Sequence, residues 1–185
     1  MTSLILLAAG QSERFGPNNK LLANYHGQPL VCHTASRISE GWQGHKIAVT
    51  SNADIKQLLS QMGWHCVDNP DPQRGQASSL VLGVEEAQGD IVIALADMPD
   101  VSASHILSVS EAIKTSSAIM SLSGDILLPP AAFSEEHRDS LLALKGDTGA
   151  KSVFLKIKNR ATVPLSSDQR RDIDNPTHLN AGFTS

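Results

Sequence analysis

The segment "DIVIALA" (90–96) constrains the fold more than any other stretch of this chain. Apart from Asp90 it contains no polar residue. A strand with one wet face would alternate polar and apolar side chains. This run therefore predicts a central strand covered on both faces, as in a parallel sheet between two helical layers. Four shorter runs read as further strands: "SLILLA" (3–8), "KIAVTS" (46–51), "WHCVDN" (64–69) and "AIMSLS" (118–123). Between them, stretches 28–40, 53–62, 76–88 and 103–115 read as helices, with apolar residues at helical spacing, as in Ile106, Leu107, Val109 and Ile113. Alternating strands and helices predict an α/β fold with a mainly parallel sheet and right-handed crossovers. Beyond Asp125, "DILLPPAAF" reads as one more strand, ended by Pro129 and Pro130. A helix over 135–144 follows, then a glycine-marked turn, another helix and the strand "ATVPL". The tail reads as a short extended piece and a helix with Pro176 near its first turn.

The 185 residues form most simply one domain, residues 1–185. Apolar content of 41% supports an ordinary core, and only 4% aromatics means that Leu, Ile, Val and Ala must build it. A net charge of −4 and a pI near 5.9 exclude general attraction to nucleic acid or to an anionic membrane. Any polyanion must be held by a local cluster of cations. The opening apolar run is too short to span a membrane and has no basic segment before it. Cys32 and Cys66 are isolated and form neither a metal motif nor a disulfide framework. Both read as buried small hydrophobes in a reducing compartment, and the expected location is the cytoplasm.

In an open α/β sheet, ligands bind outside the carboxyl ends of the strands. The loop after the first predicted strand, "GQSERFGPNNKLL", lies at that edge. Gly10 and Gly16 allow close backbone approach, Ser12 adds a hydroxyl, and Arg14 and Lys20 add a charged fork and a point charge. Amides and cations together suit a phosphate chain. The loop is not a P-loop, because no lysine directly follows the second glycine. On chemistry alone, a solvated loop accounts for these residues equally well.

Acids at strand ends would hold a metal beside such phosphates. Asp97 sits just past the most apolar strand, where an unpaired carboxylate is costly to desolvate. It could equally be a turn or N-cap residue. Asp100 reads as that turn residue, or as a start signal for the next helix. Asp172 and Asp174 share a face if "DID" is extended, but Asp174 could instead cap a helix.

The combined pattern is more specific than its parts. "LAAGQSERFGPNNKLL" resembles the signature L-A-A-G-x-S-x-R-[MF]-G…K-L-L of the MobA/MocA-type nucleotidyltransferases, with one residue more between Gly16 and Lys20 than the commonest form. "GQPLVCHTASRI", "NPDPQRGQASSL", "LADMP", "LKGDTGAK" and "DIDNPTHL" resemble further motifs of that family, in order, from Leu4 to Leu179. The resemblance implies a Rossmann-like three-layer sandwich with a mostly parallel central sheet and one antiparallel strand, of the nucleotide-diphospho-sugar transferase type. It implies nucleotide contacts at Leu7, Ala8, Ala9, Gly10, Ser12, Arg14, Lys20, Asn69, Gly75, Ser78 and Ser79. Arg14, Lys20 and Asp97 become the catalytic group, in which the cations would await the phosphates of the ligand. Asp97 and Asp174 become ligands of Mg²⁺, with Mn²⁺ as the alternative, and Asp147 a substrate-positioning residue.

The implied reaction moves a nucleotidyl group from CTP or another nucleoside triphosphate to molybdopterin, with a molybdoenzyme as a further partner. CTP is favoured over GTP because "LAAG" is the form associated with cytidylyl transfer and "LAGG" with guanylyl transfer. The Ala9 methyl takes room that glycine would leave for a purine. "GDILLPP" departs from the family's G-[HN]-P-[VI]-L-F, so a sugar or alcohol phosphate is an alternative acceptor. A non-catalytic nucleotide- or pterin-binding chaperone is the reading from another class. No nucleic acid or membrane partner is expected.

Overall fold

The computed structural model describes residues 1–10 and 19–173. In chain order the elements are β1 (Thr2–Leu7), the short strands β2 (Asn24–Tyr25) and β3 (Gln28–Pro29), α1 (Leu30–Ser39), β4 (His45–Thr50) and α2 (Ala53–Gln61). Then come β5 (His65–Asp68), α3 (Gln76–Glu86), β6 (Asp90–Leu95), α4 (Ala103–Ala112), β7 (Ala118–Ser123) and β8 (Ile126–Phe133). The described chain closes with α5 (Arg138–Leu142), α6 (Ala150–Phe154) and β9 (Arg160–Pro164). Among the described residues one 7-stranded sheet has the order β5-β4-β1-β6-β8-β7-β9. β8 runs antiparallel to both β6 and β7, and every other pairing is parallel.

Side-chain alternation along the strands builds two cores. Leu4, Leu6, Val92 and Ala94 pack on one face under α1, α2 and α4. Ile5, Leu7, Ile91 and Ile93 pack on the other under α3, α5 and α6. This is the three-layer sandwich that the apolar β6 run requires.

Three departures from the sequence reading have physical causes. The prolines do not end β8. Its ladder with β7 shifts register between Met120 and Ser121, so that Ala131 and then Leu128 are paired. Pro129 and Pro130, joined by a cis bond, fall in the gap where no N–H is needed. The Ser121 hydroxyl donates to the Pro130 carbonyl at 2.7 Å, and His105 Nε2 sits 2.7 Å from that hydroxyl. Because the serine proton is committed to the carbonyl, the imidazole donates from Nε2.

The helix expected over 28–40 starts only at Leu30, because 24–29 form a tight hairpin. Its turn places His26 at φ 51 and Gly27 at φ 86, the backbone of a two-residue hairpin loop. The helix expected over 135–144 is a 3-10 turn followed by the short α5. Arg138 at its start donates to the Val84 and Ala87 carbonyls and closes the end of α3. Cys32 is buried as expected, whereas Cys66 is only half-buried; both are free thiols. The tail elements expected around Pro176 lie outside the described residues.

Candidate active site

β1 and β6 are neighbours in register, with Leu7 opposite Leu95. From β1 the chain passes to β4 and β5 on one side of the sheet, then crosses to β6 on the other. The carboxyl ends of β1 and β6 therefore flank the switch point where such sheets bind ligands. Both loops deliver charge to it. Lys20 opens a 3-10 turn whose start is capped by Asn19, the side chain of which accepts from the Leu21 amide at 2.9 Å. Lys20 is only 9% exposed, and its Nζ donates to Asp97 Oδ2 at 2.7 Å. The cation expected to await a ligand thus already holds a carboxylate. The two residues are 77 positions apart, and the adjacency of β1 and β6 brings them together.

Asp97 Oδ1 is buried and has no hydrogen-bond partner among the described residues. One carboxylate oxygen is therefore engaged by protein and the other is not. The Asp97 carbonyl accepts from the Ile173 amide at 2.9 Å. Among the described residues no three or more His, Cys, Asp or Glu side chains cluster as a metal cage.

A cavity of about 450 Å³ opens in front of this pair. Of the residues singled out in the sequence, Leu7, Ala9, Gly10, Lys20, Gly75, Ser79, Asp97 and Asp147 line it. Ala8 instead faces the core at 3% exposure. Asn69 and Ser78 line a separate groove that includes Arg74 and Lys145. The Asn69 amide donates to Ser78 Oγ at 2.9 Å and to Ser79 Oγ at 2.8 Å, and its carbonyl oxygen accepts from the Asp71 amide. Asn69 thereby fixes the entry to α3. Ser12, Arg14, Gly16 and Asp174 lie outside the described residues.

Gly75 is the hinge between two walls of the cavity. Its φ is +90°, and a Cβ there would stand 2.5 Å from the Gly146 carbonyl and from Asp147 Oδ1. The Gly146 carbonyl also accepts from the Ala77 amide at 3.1 Å. The "QRGQ" and "KGDTG" segments are thus zipped together, which sets Asp147 on the cavity wall.

Gln73 and Gln76 also line the cavity and were not anticipated. Isolated amides in a polar loop carry no spacing signal. A second unanticipated group is the network of Tyr25, Asp100 and Arg171. Tyr25 donates to Asp100 Oδ1 at 3.1 Å, and Arg171 donates to Asp100 Oδ2 from Nε at 2.9 Å and to the Tyr25 hydroxyl at 2.8 Å. Burial first, and the Asp100 charge next, push the Tyr25 phenol up, so it keeps the proton it donates. The residue that starts the following helix is Ser102, whose Oγ accepts from the His105 amide, rather than Asp100.

Residues 4–162 match the family model described as the MobA-like NTP transferase domain. The chain belongs to that family. Membership makes it a nucleotidyltransferase by class, as the resemblance of its motifs implied. Among curated relatives, the purine catabolism protein PucB of Bacillus subtilis (strain 168) is 29% identical over 93% of this chain and 91% of its own length. The molybdenum cofactor guanylyltransferase of Shewanella frigidimarina is 24% identical over 89% and 85%. Among solved structures, Rv0371c of Mycobacterium tuberculosis H37Rv superposes with a TM-score of 0.84 at 21% identity, covering 94% of this chain and 92% of that one. The same protein has also been solved with manganese, with a TM-score of 0.79 at 17% identity over 97% and 96%. These structural likenesses establish the shared fold of this MobA-like chain. No helix among its described residues is long and apolar enough to cross a membrane.

Proposed function

We propose that the chain transfers a nucleotidyl group from a nucleoside triphosphate to a phosphorylated acceptor of the molybdopterin type, with CTP as the preferred donor. The observation that carries this reading is the carboxylate of Asp97, a residue that lines the 450 Å³ cavity: one oxygen is held by Lys20, and the other is buried with no partner among the described residues. A hard oxygen donor without a partner fits Mg²⁺ or Mn²⁺, which take few protein carboxylates and keep waters. Asp97 would hold the ion together with Asp174. In support, the Ile173 amide, one residue before Asp174, is bonded to the Asp97 carbonyl. Bound there, the ion supplies charge neutralisation along the triphosphate.

The residues of the chain then have distinct tasks. Ala9, Gly10, Gly75 and Asp147 all line the cavity. In this reading Ala9 and Gly10 would face the nucleotide, Asp147 would position the acceptor, and Lys20 would present positive charge to the α-phosphate. Ser12 and Arg14 are proposed on the phosphates, from the motif. An acceptor phosphate oxygen attacks the α-phosphorus, the bond from that phosphorus to the bridging oxygen breaks, and pyrophosphate leaves. A phosphate monoester carries most of its second charge at pH 7, with a second pKa of about 6, so no general base is needed. An adjoining cavity of about 300 Å³, walled by Leu80, Ile93, Met120, Leu127, Leu128 and Pro129, shares Leu7, Gln76 and Leu95 with the first. Its apolar walls suit a flat ring system as the acceptor body, with Lys151 at the side for its phosphate.

GTP is the second reading for the donor, because several of the relatives carry the name guanylyltransferase. The Ala9 methyl in the cavity wall favours the smaller base. Pyrophosphate release with CTP and with GTP, each with and without molybdopterin, tests both. CTP- and molybdopterin-dependent release is expected, with Ala9→Gly shifting preference toward GTP. Release with GTP alone replaces the donor. Release only with a sugar or alcohol phosphate replaces the acceptor. No release with any pair leaves a binding protein.

A further inference from the structure

The segment after β9 crosses the carboxyl edge of the sheet and is tied down at successive points. The Leu165 amide donates to the Leu122 carbonyl at 2.8 Å, and the Gln169 side chain accepts from the Ser102 amide at 2.9 Å. Arg171 then grips Asp100, and Ile173, fully buried, donates to the Asp97 carbonyl. The turn that carries Asp97 is therefore held on both sides by the same strap. Tyr25 extends the grip to the other half of the site. It follows the Lys20 turn in the chain, is 2% exposed, and spends its hydroxyl on both Asp100 and Arg171. Three segments meet at one knot: the one bearing Lys20, the one bearing Asp97, and the strap.

We propose that Arg171, acting through Asp100 and Tyr25, is a positioning residue that holds the Asp97 carboxylate against Lys20 and keeps its second oxygen clear of protein partners among the described residues. The Arg171 and Asp100 side chains are 30% and 27% exposed, so their ion pair contributes little to global stability. The fork geometry gives direction instead: Nε and one terminal nitrogen lie on a single Asp100 oxygen while that terminal nitrogen also reaches the phenol. Arg171 is not among the residues that line the cavity. Its effect must pass through the turn from Asp97 to Asp100.

This inference rests on the reading of Asp97 as a divalent-ion ligand, and the experiment separates the two. Binding of manganese ion alone to the full chain is titrated by electron paramagnetic resonance, beside thermal unfolding and steady-state pyrophosphate release, for Asp97→Asn, Arg171→Gln, Arg171→Lys and Tyr25→Phe. Arg171→Gln is expected to weaken manganese binding about tenfold and to lower kcat with little change in KM for the triphosphate. Its melting temperature should stay within about 3 °C of wild type. Arg171→Lys should recover part of the loss, since it restores charge but not the fork. Tyr25→Phe, which keeps the ring and the ion pair, should show a smaller loss in the same direction. If Asp97→Asn loses manganese while Arg171→Gln binds it as wild type does, the positioning role is overturned and the metal reading stands. If Asp97→Asn also binds manganese as wild type does, both fall. A lower melting temperature with unchanged manganese affinity would assign Arg171 to the scaffold alone and overturn the proposal.

Discussion

Replacing Gly75 with alanine should open the cavity and destabilise the protein together. At φ 90° and ψ 177°, Gly75 occupies backbone space that is almost closed to residues with a side chain. Holding alanine there costs about 1–3 kcal/mol. The added Cβ would also stand 2.5 Å from Gly146 backbone atoms, which cannot swing away as a flexible side chain would. Relief requires the "QRGQ" and "KGDTG" loops to part, which breaks the bond from the Ala77 amide to the Gly146 carbonyl and costs about 1 kcal/mol. The combined loss is about 2–4 kcal/mol, and for a chain of this length it lowers the melting temperature by about 5–15 °C. Thermal unfolding by circular dichroism reads this directly. Gly10→Ala is the control, because a Cβ at Gly10 meets nothing within 4 Å. A Gly75→Ala protein that melts as Gly10→Ala does would refute the steric reasoning.

His105 is buried, and its desolvation holds the imidazole below its ordinary pKa. The folded state therefore resists a proton that the unfolded chain accepts: stability is full above about pH 6.5 and declines as pH falls below it. Melting temperatures between pH 7.5 and 5.5 should fall more steeply for wild type than for His105→Gln, which can still donate to Ser121; equal slopes would remove His105 as a source. For the charge pair, Lys20→Met alone and Asp97→Leu alone should each destabilise, because each strands a buried opposite charge. The double variant should be at least as stable as either single one while losing pyrophosphate release, and a double variant less stable than both would contradict this in urea denaturation.

The sheet was legible because its signals are local. Uninterrupted apolar strands and helical spacing between them specify two covered faces, and the observed cores divide along that alternation. The strand through Pro129 and Pro130 was not legible, because the two prolines are tolerated only as an unpaired insertion in β8. That insertion is defined by the neighbouring strand, where the consecutive Met120 and Ser121 pair with Ala131 and Leu128. The site divides in the same way. Glycines and an acid at strand ends are visible as motifs, and Gly10, Gly75, Asp97 and Asp147 meet at one cavity. Which charge faces which is not visible. The contacts of Lys20 with Asp97 and of Tyr25 with Arg171 span 77 and 146 positions and depend on strand order. Asp100 reads as a turn former because that role needs only its neighbours, whereas its place beside Arg171 needs the whole fold.

The position of the Lys20–Asp97 pair is itself informative about what the site is for. The core on both faces of the sheet closes without it: Leu6 and Ile93, buried on opposite faces just behind it, belong to the two separate apolar clusters. A buried ion pair is seldom more stabilising than apolar side chains of similar size, so packing gives no reason to keep two charges there. Each charge makes the other tolerable, since an isolated carboxylate or ammonium at this depth would be neutralised or expelled. Yet the compensation is incomplete, because Asp97 Oδ1 is buried with no partner among the described residues. An acceptor left bare beside an already satisfied cation raises the local demand for positive charge on the cavity side. No described residue meets that demand, and on the proposed function a divalent ion bound beside the triphosphate would meet it. On the proposed function, the pair would set both the sign and the place of the charge that the site accepts.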